Sequence, residues 1–292
     1  MYKMSSAETI ADRLNRQLNS LTRAERQLAH FMLENYPVSG LGSITAIARS
    51  AGVSTPTVAR MVQKLGFKGF PAFKAELRRE LQEKISDPIE RRETWADKAP
   101  DSHVLNRFTE AATENIRGSL AQIPAETFDE CVELLADPER RIHIAGGRVT
   151  GALAEYMFLH LQMVRDGVVH IKATANSWPH YLLDVQPGHV MVVFDIRRYE
   201  NGTLKLAEIA REKGADIVLF TDQWRSPIHK LARLCFATRT TVPSAWDSSI
   251  ATLLLIETLI AAVQEKRWGT SRSRVEALEE MFDRTRLFRK FT

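Results

Sequence analysis

Two segments of the chain bring together residue types that bind anions. Gly146-Gly147-Arg148-Val149-Thr150 follows a predicted strand, and its glycines let backbone N–H groups approach a ligand where a helix begins. Asp195-Ile196-Arg197-Arg198 follows another predicted strand and adds guanidinium groups that donate paired hydrogen bonds to phosphate or carboxylate. The residues predicted to bind an acidic small molecule are Gly146, Gly147, Arg148, Thr150, Asp195, Arg197 and Arg198.

The same arginines also have an ordinary surface interpretation. Arg197 and Arg198 can lie at a solvated loop edge, and Arg148 can form a salt bridge with Glu155. Asp195 is expected either to pair with one of the arginines or to hold a ligand hydroxyl. The sequence leaves these alternatives open.

Metal, redox and membrane chemistry find no support in the sequence. Cys131 and Cys235 belong to no Cys-x-x-Cys motif, and the histidines show no metal-like spacing with one another or with cysteine. We therefore expect no metal, no cofactor and a reducing, cytoplasmic setting. The longest apolar run near the end, 250–263, is interrupted by polar residues and predicts a buried helix rather than a membrane span.

A second polar surface is expected within residues 42–65. Apolar residues recur there at helical spacing in two short stretches, which Ala51-Gly52-Val53 separates. Gly52 can take a positive φ in the turn, Ser54 can cap the second helix, and Pro56 fits the first helical turn. This pattern predicts a helix-turn-helix whose second helix fits the major groove of DNA.

The outward face of that second helix carries hydroxyl and basic side chains and no acid. Thr55, Thr57, Arg60 and Lys64 are expected to face outward, and further basic residues follow. An ordinary helical hairpin with solvated basic residues is the alternative. The residues predicted to bind DNA are Ser54, Thr55, Thr57, Arg60, Lys64, Lys68 and Lys74.

The charge of the chain is unevenly distributed. The net charge of +4 is the sum of about +6 in residues 1–85, −5 in 86–264 and +3 in 265–292. A basic N-terminal segment followed by an acidic one is typical of a phosphate-binding module joined to another domain. Salt screening keeps the electric field of such a segment short-ranged.

The hydrophobic pattern predicts two domains of different class. Residues 1–85 read as an all-helical helix-turn-helix domain, 86–103 as a charged linker with prolines, and 104–292 as an alternating α/β domain. Five strands are predicted, at 141–145, 168–171, 189–195, 216–221 and 234–238. A doubly wound parallel sheet in the order 2-1-3-4-5 would bring the loops after the first and third strands together, where ligands bind such sheets.

Several motifs of the first domain resemble the RpiR family of bacterial transcription regulators. The matching residues are Leu21-Thr22-x-Ala24-Glu25-Arg26, Ala51-Gly52-Val53-Ser54, Thr57-Val58-x-Arg60 and Lys64-Leu65-Gly66-Phe67-x-Gly69-Phe70-x-x-Phe73-Lys74. The resemblance implies a sugar isomerase (SIS) domain after the helical domain. It also implies a cytoplasmic homodimer or homotetramer that binds an operator and responds to a small metabolite.

The second domain departs from the pattern of that family in both predicted ligand loops. Arg148 stands where a second glycine is usual, and Thr150 replaces the serine that contacts phosphate in the family. Asp195 to Glu200 replaces a loop with two serines and a glycine. The expected effector is therefore a small acidic metabolite such as a phosphorylated sugar or a sugar acid.

Two other functions remain as alternatives. A phosphosugar isomerase with an accessory helical domain would need a general base, for which Glu257 is the candidate. An assembly module without a ligand is the third hypothesis. We expect a regulator rather than an enzyme, because Glu257 has no evident partner in the sequence and the loop that would hold the substrate is altered.

Overall fold

The computed structural model describes residues 8–97, 103–172 and 175–288. These residues form two compact units. The helical unit comprises Met1–Gln122 and Arg239–Ser248, and the sheet unit comprises Ile123–Thr238 and Ser249–Thr292. None of the helices in the described part of the chain combines the length and apolar character that a bilayer crossing needs.

Local capping signals fix where the helices of the helical unit begin. Thr9 and Asp12 cap the first helix reciprocally, and Thr22 and Glu25 form a capping box for the second. The helices are α1 (Ile10–Gln17), α2 (Arg23–Glu34), α3 (Ile44–Ser50), α4 (Thr55–Lys64), α5 (Phe70–Ile85), α6 (Pro88–Asp97) and α7 (Val104–Leu120).

The turn between α3 and α4 has the geometry that the sequence predicts. Gly52 has φ +66°, and Val53 donates its N–H to the carbonyl of Ala48. Ser54 caps α4, with its side chain accepting from the N–H of Thr57, and Pro56 lies in the first turn. The predicted apolar faces are buried at the centre of this pair of helices, through Ile47, Ala48, Val58, Met61, Val62 and Leu65.

The segment predicted as a linker contains a helix. Asp87 starts α6, because its carboxylate accepts from the N–H groups of Ile89 and Glu90 while Pro88 takes the first helical position. The helical unit also includes α7, which bonds the returning segment Arg239–Ser248 through Asn115 and Ser119. The proposed division into residues 1–85, 86–103 and 104–292 stays a prediction.

The sheet unit contains the predicted parallel sheet. Its strands are β1 (Ile142–Gly146), β2 (Val168–Ile171), β3 (Val190–Phe194), β4 (Asp216–Asp222) and β5 (Leu234–Thr238). All neighbouring strands are parallel and their order is β2-β1-β3-β4-β5, so the predicted order is confirmed. Since β1 and β3 are adjacent, the two predicted ligand loops leave the same edge of the sheet side by side.

Helices cover both faces of this sheet. They are α8 (Ala125–Ala136), α9 (Gly151–Val164), α10 (Trp178–Leu183), α11 (Asn201–Glu212) and α12 (Ile250–Thr285). Helices α8, α9 and α12 pack on one face, against side chains such as Val192 and Phe220, and α10 and α11 pack on the other, against Met191 and Leu219.

The last helix is longer than the sequence predicts. The apolar run at 250–263 predicts its buried part, whereas α12 continues to Thr285 and has 36 residues. The added turns hold residues with good helix propensity and an Arg272–Glu276 ion pair at i, i+4 spacing. Buried residues lie almost entirely in its first half, up to Val263.

Candidate functional site

The exposed face of α4 is the candidate nucleic-acid surface of the helical unit. Arg60 and Lys64 are exposed, as is the capping residue Ser54, while Thr55 is partly exposed. The ten residues of α4 include no Asp or Glu. This face therefore presents donors, hydroxyls and positive charge to solvent, which suits the edges and phosphates of DNA.

Thr57 does not belong to that face, and its predicted outward position is wrong. Its side chain is buried, and its hydroxyl shares a hydrogen bond of 2.8 Å with the hydroxyl of Ser54. Thr57 and Met61 are four residues apart, which places them on the same side of an α-helix. The hydroxyl therefore completes the cap of α4 and is not available to DNA in this conformation.

Lys64 is exposed, but its side chain bonds to another helix of the helical unit. Its Nζ lies 2.7 Å from a carboxylate oxygen of the buried Glu25, which is the N3 residue of α2. Burial alone would raise the pKa of Glu25, but hydrogen bonds from Lys64 and Thr22 outweigh it and lower the pKa below its ordinary value. Lys64 therefore joins α4 to α2, besides contributing charge to the surface.

The basic residues after α4 have unequal surroundings. Lys68 and Arg78 are exposed, and Lys74 is half-buried on α5. Arg79 pairs with Glu76 and Glu83 on its own helix, so it adds little free positive charge. Lys68 and Arg78 therefore present the most accessible positive charge after α4, and Lys74 is partly accessible.

The loop after β1 satisfies its own polar groups. The Thr150 hydroxyl accepts from the N–H of Gly147 and donates to the carbonyl of Phe194, at 2.8 Å in each case. Thr150 therefore ties the end of β1 to the end of β3. Its role in this conformation is to shape the loop that the sequence assigned to the ligand.

A carboxylate of the protein lies on that loop. Oε1 of Glu200 accepts from the N–H of Arg148 at 2.8 Å. A Cβ added at Gly147 would lie 2.5 Å from the same Oε1, so only glycine allows this approach. An anionic group is thus already held at the start of α9, at the position where the sequence predicts a ligand anion.

Asp195 pairs with neither arginine at the end of β3, contrary to one of the two roles expected for it. Its carboxylate accepts from the hydroxyl of Ser226 and, at 3.3 Å, from the N–H of Glu200. Burial raises its pKa to about 6, against the lowering effect of these hydrogen bonds, and the negative charges of Asp222 and Glu200 raise it further. Asp195 therefore fixes the loop that leads to Glu200.

Asp222, at the end of β4, organises the arginine loop. Its buried carboxylate accepts from the N–H of Arg197 at 2.6 Å, the hydroxyl of Tyr199 at 2.8 Å and the N–H of Trp224 at 2.9 Å. The guanidinium carbon of Arg197 lies 4.2 Å from the centre of the Trp224 ring, a cation–π contact. Arg198 is exposed and has φ +61°.

Five residues that shape this edge of the sheet were not predicted from the sequence. They are Tyr199, Glu200, Asp222, Trp224 and Ser226. A signal for one of them was available, because Asp222 ends β4 as Asp195 follows β3. No group of His, Cys, Asp and Glu within the described residues is arranged to hold a metal ion.

Glu257 has a partner that the sequence did not reveal. Its carboxylate accepts from the hydroxyl of Tyr156 at 2.8 Å, and this pair is exposed between α12 and α9. An exposed, hydrogen-bonded carboxylate lacks the burial that tunes a general base. The geometry thus gives the isomerase alternative no support.

Both halves of the chain match known protein families. Residues 8–84 match the helix-turn-helix domain of the rpiR family, and residues 134–262 match the SIS domain. The HTH-type transcriptional regulator HexR of Pseudomonas aeruginosa is 23% identical over 288 residues, which is 96% of this chain and 97% of that protein. HexR of Escherichia coli is 23% identical over 94% of each chain.

Two solved structures share the fold. The sugar isomerase domain of an RpiR transcription factor from Sphaerobacter thermophilus has a TM-score of 0.56 at 18% identity and covers 60% of this chain and 97% of that one. The Vibrio vulnificus NanR protein, solved with ManNAc-6P, has a TM-score of 0.56 at 17% identity and covers 97% and 100%. The chain is a transcriptional regulator rather than an enzyme, and it joins a helix-turn-helix domain of the rpiR family to a SIS domain.

Proposed function

We propose that this regulator binds a double-stranded DNA operator through α4 and that a small acidic metabolite, bound to the SIS domain, alters that binding. The observation that carries the DNA half is the capped, acid-free helix α4 with Arg60 exposed on it. Ser54, Thr55, Lys64, Lys68 and Lys74 supply the surrounding contacts, mostly to phosphates.

The effector half is supported by the edge of the sheet where β1 and β3 end. Arg148 and Arg198 are exposed there, and Arg197 lies in the same loop as Arg198. NanR, which shares the fold, was solved with ManNAc-6P, so a sugar phosphate is the first effector class to test. An anionic group of the effector would replace the Glu200 carboxylate at the N–H of Arg148.

The proposed assembly is a cytoplasmic homodimer or homotetramer. One helix-turn-helix reads only a short half-site, and two of them reach the specificity that an operator needs. Exposed apolar side chains such as Trp268 and Met281 on the second half of α12 supply surface for association. Light scattering on the full chain tests this, and a monomer at micromolar concentration would contradict it.

Operator binding is tested by titrating the full chain with labelled DNA selected from genomic fragments. We expect Arg60→Ala to weaken binding by ~1–3 kcal/mol, as for a contact to a base edge. Arg49→Ala is the matched control, because Arg49 is also exposed in the helical unit but lies on α3. Lys68→Ala should weaken all sequences alike and reduce the salt dependence by about one phosphate contact. Equal affinity of Arg60→Ala and the parent would remove Arg60 from the interface.

Effector binding is tested by calorimetry with ManNAc-6P, other sugar phosphates and sugar acids. A double variant, Arg148→Ala with Arg198→Asn, should lose the binding of the best ligand while keeping operator affinity, since asparagine tolerates the positive φ at 198. Arg272→Ala on α12 is the control for loss of an exposed arginine. Unchanged ligand affinity in the double variant would place the site elsewhere.

A further inference from the structure

Few side chains of α4 remain available to read a DNA sequence. Thr57 is buried in the cap, and Lys64 is bonded to Glu25 of α2. Arg60 and Gln63 are both exposed. Among the polar residues of α4, these two are exposed and their side chains bond to no other helix in the described part of the chain. Gln63 was not among the residues predicted to bind DNA.

The spacing of Arg60 and Gln63 lies within about 1 Å of the repeat of a base-paired duplex. Residues three apart lie on the same side of an α-helix and differ in height by roughly 4.5 Å. Base pairs in a duplex are stacked about 3.4 Å apart. Two long side chains with this offset can reach neighbouring base pairs from one helix in the major groove.

The two side chains differ in what they recognise. A guanidinium donates two hydrogen bonds to O6 and N7 of guanine, whereas a carboxamide donates to N7 and accepts from the N6 amino group of adenine. The residues beside them, Pro56 and Ala59, are small and carry no side-chain donor or acceptor. They allow close approach without adding a competing polar contact.

We infer that Gln63 is a base-reading residue, which recognises an adenine next to a guanine that Arg60 recognises in each half-site. Thr57 supports the helix and reads no base. Lys64 supports the helix and contributes charge. The inference rests on the proposed function, since it assigns the specificity of the proposed operator-binding helix.

The test is selection of binding sites from random double-stranded DNA by the full chain, followed by affinity measurements. We expect the parent to select a half-site with adjacent guanine and adenine. Gln63→Ala should bind that site about tenfold more weakly and lose its preference for adenine. Gln63→Glu should shift the preference to cytosine, because its carboxylate can accept a hydrogen bond from the N4 amino group of that base. Circular dichroism checks that the variants keep their helices.

Gln82→Ala is the matched control, because Gln82 is an exposed glutamine on α5 and should leave affinity and preference unchanged. If Gln63→Ala keeps the adenine preference, or if Lys64→Gln changes which base is selected, the assignment of Gln63 is overturned while operator binding stands. If the parent selects no sequence and shows no salt-dependent binding, the proposed operator binding itself is overturned, and this assignment with it.

Discussion

Helix α4 and the loops after β1 and β3 carry the two sets of residues predicted to bind ligands, and they use their polar groups in opposite ways. On α4, only Thr57 among the polar residues is buried, and Ser54, Arg60, Gln63 and Lys64 remain exposed although Ser54 caps the helix and Lys64 bonds Glu25. In the two loops, Thr150, Asp195 and Glu200 bond mainly to other groups of the sheet unit.

The difference shows how far a local sequence pattern determines whether a polar side chain is available to a ligand. On a helix, which residues are exposed follows from the 3.6-residue repeat, so neighbours in sequence decide it. In the loops, the partners are distant in sequence, as in the bond of Arg148 to Glu200, 52 residues away. A loop residue with the right chemistry can therefore already be satisfied by the protein.

The largest expected effect comes from Asp222→Ala, which tests the hydrogen bonds among protein groups at this edge of the sheet. It would leave the N–H groups of Arg197 and Trp224 and the hydroxyl of Tyr199 without their buried acceptor. We expect the free energy of unfolding of the sheet unit to fall by about 3–5 kcal/mol. Urea denaturation with hydrogen exchange on sheet peptides measures it. Asp184→Ala, at an exposed position, should change little, and equal losses in both variants would refute a special role for Asp222.

The helical unit should show a pH dependence that originates at Glu80. Burial raises its pKa to about 7, although its hydrogen bonds from Tyr36 and the N–H of Ile10 lower it; Glu76 raises it and Arg79 lowers it. The folded state therefore binds more protons than the unfolded state between about pH 4.5 and 7.

Because of this proton excess, the free energy of unfolding of the helical unit should fall as pH rises through that window and level off above it. The expected loss is at most about 3 kcal/mol. Hydrogen exchange at α1 and α5 peptides of the full chain measures it. Glu80→Gln should remove most of this slope, and a variant with the slope of the parent would show that another group titrates.

Replacing Glu200 tests whether its carboxylate occupies an anion site. Glu200→Gln keeps an acceptor for the N–H of Arg148 but removes the negative charge. We expect inorganic phosphate to bind the variant about fivefold more tightly, which is roughly 1 kcal/mol, because a neutral competitor is easier to displace. Calorimetry on parent and variant measures it, with Glu212→Gln at the other end of α11 as control. Equal or weaker binding would show that the anion binds elsewhere.

The smallest expected effect concerns Thr57. Thr57→Val removes a buried hydroxyl that shares a hydrogen bond with Ser54. We expect a stability loss of about 1 kcal/mol or less and no change in the base preference of the operator. Site selection with the variant measures the preference. A changed base preference would show that Thr57 contacts the bases.

The sequence was sufficient for the parallel sheet and the helix-turn-helix, and insufficient for α6, for the length of α12 and for the contacts among loops. The strand order follows from alternating elements with right-handed crossovers, and the turn at Gly52 follows from residue types. Thr57 was wrongly predicted to face outward because threonine occurs on both the exposed and the buried faces of helices. Its four-residue spacing to Met61 was the signal that it faces inward. The pairing of Asp195 with Ser226, 31 residues away, has no local signal at all.

The long helix α12 gives the sheet unit a built-in lever. Its 36 residues extend for roughly 54 Å, its last buried residue is Ser271, and Arg274 still donates to the carbonyl of Gln162 on α9. About 16 Å of helix therefore continues beyond the part that is held by the sheet unit. A rotation of about 10° at the held end displaces the far end by roughly 3 Å, which converts a small rearrangement of packed side chains into a movement as large as a hydrogen bond is long.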